Sequence, residues 1–328
     1  MTVFDSAQAT PHRVSELLSQ LRGGGFRTLG MGPVGTGFQP LDSILDGGFL
    51  PGEVVLLGGQ PGAGKTICAL QWARNIAGTG RPVTFACFEH DEAALMNRLL
   101  IQELTIVAGD ADPTERIKTR VVVRDLMLGL IEIEEAIERS PLVDEALASL
   151  ESCSANLQLL RASAQGTTPH ALDLVSREHL DVGGVLFVDY LQKLPVHSAP
   201  TLAERVYRAM ELMKELAITH QISVVALSAA SNRGIGVDRL RLGHLRGSDA
   251  LAHECDIAIL MNQKVTATSG RHLDYDLTQL DEARRRTVFS IEKNRRGEVD
   301  LHLEFVKDFA NFRFLPTGGF VTETLEGD

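Results

Sequence analysis

The stretch Val54-Val55-Leu56-Leu57-Gly58-Gly59-Gln60-Pro61-Gly62-Ala63-Gly64-Lys65-Thr66 bears on the fold class more directly than any other part of the chain. From Gly59 to Thr66 it fits the spacing G-x-x-x-x-G-K-[ST], and the apolar run before it reads as a buried strand. A helical pattern continues from Lys65 to about residue 77, where Gly78 stops it. Strand, glycine loop and helix in that order make a phosphate cradle, because backbone N–H groups wrap the anion and the helix N-terminus adds its dipole. Gly59, Gln60, Pro61, Gly62, Ala63 and Gly64 are therefore assigned to the cradle of ATP. Lys65 is placed to reach the β- and γ-phosphates, and Thr66 to ligate Mg²⁺.

On either side of this stretch, short β-branched runs alternate with helical ones. Strands are expected at residues 53–58, 83–88, 157–161, 185–189, 223–227, 257–261, 287–292 and 301–306, with helices at 65–77, 91–108 and 201–220. Near-continuous apolar strands alternating with helices predict an α/β fold, a mostly parallel twisted sheet with helices on both faces. The last two runs, separated by Arg295-Arg296-Gly297, predict a C-terminal β-hairpin. Residues 110–154 read as a charged helical covering layer, with Ser140 as an N-cap and Pro141 at the first helical position. Residues 11–22, PHRVSELLSQLR, put Val14, Leu17, Leu18 and Leu21 on one helical face, with Gly23-Gly24-Gly25 behind. So short a helix must dock its stripe, either on its own domain or on a neighbouring subunit. The expected division is a helical arm and hinge at residues 1–29 and one ATPase domain at 30–328.

Composition excludes several classes. Forty-three acidic against 32 basic side chains give a net charge of −11, which argues against coating nucleic acid by bulk charge but leaves room for a local basic site. Cys68, Cys87, Cys153 and Cys255 form no C-x-x-C pair, so a disulfide scaffold and a zinc site are poor readings and a reducing cytoplasm is expected. No apolar run approaches the ~20 residues of a membrane span, and no membrane partner is expected.

The cradle needs a metal-supporting carboxylate at the end of another buried strand. Val185-Leu186-Phe187-Val188-Asp189 supplies it in Asp189, which with Thr66 makes the expected Mg²⁺ pair. Tyr190 follows, so the group that orients the attacking water must come from elsewhere. Glu89, at the end of a strand expected beside the cradle strand, is the candidate base, while Asp91 and Glu92 read as helix cap and first-turn charges. Arg233, Arg239, Arg241 and Arg246 gather with His244 in one glycine-punctuated stretch opposed only by Asp238, a candidate site for nucleic-acid phosphates. A second candidate loop spans residues 193–200. The competing reading of these arginines is pairing with the many acidic side chains.

Together these segments resemble the C-terminal motor domain of DnaB-type replicative helicases, within the RecA-like P-loop ATPases, over about residues 34–315. TGFQPLDSILDGG (36–48) looks like the entry segment and GGQPGAGKT (58–66) like the P-loop. FACFEHDEAALMNRLL (85–100) is similar to the strand and helix that carry the family's catalytic glutamate, which falls on Glu89, and a recurring arginine, which falls on Arg98. VLFVDYLQKL (185–194) resembles the metal strand with its D-Y-L-Q signature, LSAASNRG (227–234) the sensor strand, and LRGSDALAHECDIAILM (245–261) the segment with a DNA-contacting loop. EKNRRGEVDLHLEF (292–305) resembles the K-N-R-x-G hairpin whose lysine and arginine, here Lys293 and Arg295, enter the neighbour's nucleotide site.

The resemblance implies a homo-oligomer, a hexamer, hydrolysing ATP with Mg²⁺ and acting on single-stranded DNA as a helicase-like translocase or loader. Arg295 would be the finger supplied in trans and Lys293 its companion; Arg296 is expected to matter less. Two departures stand out. The family's N-terminal collar domain is expected to be absent, which calls for a loader or regulatory protein partner. The family's A-L-S-Q reads Ala226-Leu227-Ser228-Ala229 here. The alternative reading is a KaiC-like ATP-gated assembly or regulatory ATPase that does not move along DNA.

Overall fold

The computed structural model describes residues 13–22, 32–109, 113–196, 199–268 and 277–327. Along the chain, α1 (Val14–Arg22) and the single turn α2 (Leu41–Ile44) precede β1 (Val54–Gly59), α3 (Lys65–Gly78), β2 (Val83–Cys87) and α4 (Glu92–Ala108). Then come α5 (Pro113–Met127), α6 (Ile133–Arg139), α7 (Leu142–Ser154), β3 (Leu157–Arg161), α8 (Pro169–His179) and β4 (Val185–Asp189). They are followed by α9 (Leu202–His220), β5 (Ser223–Ala229), α10 (Ser248–Glu254), β6 (Ile257–Gln263), α11 (Lys264–Ala267) and α12 (Leu277–Arg284). The chain closes with β7 (Arg286–Asn294), β8 (Leu301–Asp308), β9 (Arg313–Phe314) and β10 (Gly319–Phe320).

The strands form one sheet in the order β3-β2-β4-β5-β1-β6-β7-β8-β10, with β9 pairing β8. From β3 to β6 every pairing is parallel. β7 then runs antiparallel to β6, and β8 antiparallel to β7, so the expected closing hairpin is present. One expectation is corrected: β2 does not lie beside β1, because β5 and β4 intervene. The carboxyl ends of β1, β4 and β2 still open on the same edge, and this is what assembles the site.

Alternate residues of β1 serve the two faces. Val55 and Leu57 join Trp72, Phe289, Phe305 and Phe314 under α3 and the hairpin, while Val54 and Leu56 join Met210 and Met213 of α9. A smaller cluster with Leu104, Val123, Ala136 and Val143 packs α5, α6 and α7 over α4, the expected covering layer. Fully buried Glu103 is satisfied by Arg74 of α3 and by the Ser149 hydroxyl of α7 at 2.6 Å. Such a charge survives burial only with partners of this kind. Ser140 does not cap α7; its hydroxyl pairs with that of Thr119 at 2.7 Å, and the helix starts after Pro141. On α1, Val14 is 71% and Leu18 46% exposed, so this part of the stripe is not docked on its own domain. Residues 1–12 and the Gly23-Gly24-Gly25 hinge lie outside the described residues.

Candidate functional site

The loop after β1 turns into α3 through Gly64, whose φ of +91° belongs to the left-handed region. A side chain there is excluded twice, since a Cβ would also sit 2.5 Å from the Phe309 ring. Lys65 follows at the first turn, and its ammonium donates to the carbonyls of Gly59 at 2.9 Å and Gln60 at 3.1 Å. Burial lowers its pKa, against the pull of Asp189 and Glu89. The Thr66 hydroxyl donates to Asp189 Oδ2 at 2.7 Å, so the two expected metal residues meet. Asp189 is 2% exposed, and burial raises its pKa. A hydroxyl beside a buried carboxylate is a hard-oxygen set that fits Mg²⁺. The Asp189–Tyr190 peptide is cis.

A cleft of about 470 Å³ opens above these groups, lined by Lys65, Thr66, Glu89, Arg98, Asp189 and Ala229 among others. Glu89 therefore reaches the cleft from β2 despite the two intervening strands, and pairs with Lys193 at 3.6 Å. Its competitors are occupied elsewhere: Asp91 caps α4 by accepting from the Ala94 N–H at 2.8 Å, and Glu92 accepts from the Arg161 N–H at 3.0 Å. Arg98 packs over the Phe312 ring at 5.4 Å and lies 2.8 Å from His90 Nε2. Burial and then the Arg98 charge lower the His90 pKa. Sequence reasoning assigned no role to Phe309 or His90, both of which line the cleft. Phe309 follows the hairpin with no motif around it; its ring meets Phe314 edge-on at 5.2 Å and covers Gly64.

The hairpin cations lie elsewhere. Lys293 donates to the carbonyls of Ala252 at 2.6 Å and His253 at 3.2 Å. Arg295 pairs with Asp256 at 3.2 Å, and its side chain is half exposed. The Arg295 N–H donates to the Asp256 carbonyl, and Asp256 N–H to Val54 O, which sets Arg295 level with the first residue of β1. The P-loop begins at the other end of that strand, roughly 16 Å away for five residues. Arg296 is anchored differently, to Glu53 at 2.7 Å and to the carbonyls of Leu45 and Gly48. It is a structural strut between the hairpin and residues 45–53.

The arginine cluster splits. Arg239 is 5% exposed and donates to the Glu326 carbonyl at 3.2 Å, with His302 also at 3.2 Å. Arg241 lies 3.6 Å from Glu292 and 3.9 Å from Asp300, and donates to the Gly327 carbonyl. These two brace the C-terminal segment, which corrects their assignment as phosphate contacts. Arg233 is exposed and Arg246 half-buried. In the second loop Lys193 serves Glu89 and packs 5.0 Å over Tyr190.

Among known proteins, the family model of the DnaB-like helicase C terminal domain matches residues 33–314. The replicative DNA helicase DnaB of Treponema pallidum (strain Nichols) is 27% identical over 287 residues, 85% of this chain and 55% of that protein. Its counterpart in Rhodothermus marinus is 30% identical over 272 residues, 79% of this chain and 26% of that protein. The chain thus spans about half or less of the length of these relatives. The ATPase domain of G40P superposes with a TM-score of 0.67 at 18% identity, covering 92% of this chain and 96% of that one. A DnaB-like replicative helicase, solved in a study of its interactions with primase, gives 0.66 at 18% identity over 94% of this chain and 68% of the other. These two structures establish the fold. With the family match spanning residues 33–314, the chain belongs to the DnaB-like helicase C-terminal domain family and carries its RecA-like P-loop ATPase core.

Proposed function

We propose that the chain is a Mg²⁺-dependent ATPase that works as a ring, a hexamer, on single-stranded DNA, as a helicase-like translocase or loader. The observation that carries this reading is the Thr66–Asp189 bond in a cleft that also holds Lys65 and Glu89, set against hairpin cations at the far end of the sheet. Lys65 leaves the Gly59 and Gln60 carbonyls to bind the β- and γ-phosphates. Thr66 and Asp189 are the residues that would hold Mg²⁺, whose positive charge would offset that of the phosphates. Glu89, exchanging Lys193 for water, orients the nucleophile. Phe309 offers an aromatic wall to the nucleobase. Arg295 of a neighbouring subunit, released from Asp256, completes the site in trans.

Oligomerisation also gives the α1 stripe a place to dock. An apolar groove of about 440 Å³, lined by Ile101, Ile117, Val121, Leu128 and Phe312, lies on the α4–α5 layer. DNA would meet Arg233 and Arg246, and a loader or regulatory protein would direct the ring. The loss of Arg239 and Arg241 from the basic site favours one competing reading, an ATP-gated assembly protein. Steady-state hydrolysis with and without single-stranded DNA separates the two. Stimulation that fades as salt rises supports the DNA motor; rates indifferent to DNA point to the assembly protein.

A further inference from the structure

Ala229, which lines the nucleotide cleft, ends β5, and the chain then runs out in a loop, residues 231–245. The neck of this loop is closed by a bridge between Ala230 and Leu245, by the Arg246 N–H on Ala229 O at 3.1 Å, and by the Ser231 N–H on His244 O at 2.8 Å. Two glutamines grip the loop from the nucleotide side. Gln192, three residues beyond Asp189, donates from Nε2 to the Ser228 hydroxyl at 2.7 Å and to the Arg246 carbonyl at 3.1 Å. Its Oε1 accepts from the Ala229 N–H at 3.3 Å, so one side chain bonds both strands of the neck. Gln60, inside the P-loop, donates to the Val237 carbonyl at 2.8 Å, on the arch of the same loop. Between these two anchors the arch is open: Arg233 and Ile235 are exposed.

We propose that Gln192 and Gln60 couple nucleotide occupancy to the conformation of loop 231–245, with Gln192 the positioning residue that carries the Asp189 side of the cleft to the loop neck. A phosphate and metal that shift the Asp189 turn or the P-loop backbone must drag or break these bonds, because each spans two separate segments. Neither glutamine side chain needs to touch the transferred phosphate. This coupling rests on the DNA-motor reading only for its purpose; the mechanical link is independent of it.

The test uses Gln192→Ala and Gln192→Glu in the full chain. The glutamate keeps an acceptor for the Ala229 N–H but loses the donors to Ser228 and Arg246. Hydrogen exchange of amides 231–245 is compared with and without a non-hydrolysable ATP analogue, alongside melting temperature and hydrolysis with and without single-stranded DNA. The wild type should show analogue-dependent exchange in the loop, and both variants should lose it at unchanged melting temperature. Basal hydrolysis should stay within about twofold, while stimulation by DNA falls about tenfold, the scale of a typical coupling free energy. A wild-type loop blind to the analogue overturns the proposal, as do variants that behave like wild type. Parallel loss of basal rate and melting temperature also overturns it, by marking a merely structural role. A responsive wild-type loop with no DNA stimulation upholds the coupling and removes the DNA-motor reading alone.

Discussion

At the nucleotide cleft the candidate catalytic side chains meet one another, whereas at the hairpin tip Lys293 and Arg295 are held by the segment that leads into β6. Thr66 bonds Asp189, and Lys65 and Glu89 face the same space. Lys293 and Arg295 instead hold the carbonyls of residues 252–253 and Asp256, level with the start of β1. The cleft is a site one chain can assemble, because parallel strands bring their carboxyl ends to one edge. The β7 strand runs antiparallel to β6 in the same sheet, so the hairpin tip emerges at the other edge, away from the cleft of its own chain.

The largest effect expected from this contrast is on the hairpin. Arg295→Ala should cut hydrolysis by about 10³-fold or more, the range for a finger in trans, with ATP binding kept in an equilibrium titration. Glu89→Gln should cost about 10²–10⁴-fold in turnover and also spare binding. If Glu89→Gln turns over normally, the cleft has been misread.

The basic stretch sharpens the same comparison. Arg239→Ala should destabilise the fold by about 1–3 kcal/mol, read by denaturant unfolding, because it leaves buried partners unpaired. Arg233→Ala should leave stability alone and lower the slope of log affinity for single-stranded DNA against log salt by about 1.

The smallest effect concerns Asp189. Burial raises its folded pKa, so stability from its protonated form is present at low pH and is lost as pH rises through the raised value. At neutral pH the charged carboxylate is a cost to the nucleotide-free domain. Asp189→Asn should therefore raise the melting temperature by a few degrees at pH 7, and the gain should shrink as pH falls toward the ordinary aspartate range.

How legible this was in the sequence differs by region, for physical reasons. The P-loop, Asp189 and the closing hairpin announce themselves because each couples a local pattern to an obligatory backbone geometry. The neighbours of β2 do not, since strand order depends on crossovers that leave no local trace. The split of the arginine cluster was equally hidden: the partners of Arg239 are Glu326 and His302, more than 60 residues away. Arg296 looked like a bystander to Arg295 until its contacts at residues 45–53 were seen. Gln192 stood inside a quoted signature, but its bonds to Ser228 and Arg246 exist only after β4 and β5 pair.

The measurement that tests the central claim most directly mixes Arg295→Ala subunits with Glu89→Gln subunits and follows ATP hydrolysis. Each variant alone lacks one half of every composite site, while mixed assemblies place an intact Glu89 opposite an intact Arg295. The mixture should turn over ATP faster than either variant alone. A mixture no faster than the average of the two, with co-assembly demonstrated, would contradict a nucleotide site completed by the neighbouring chain.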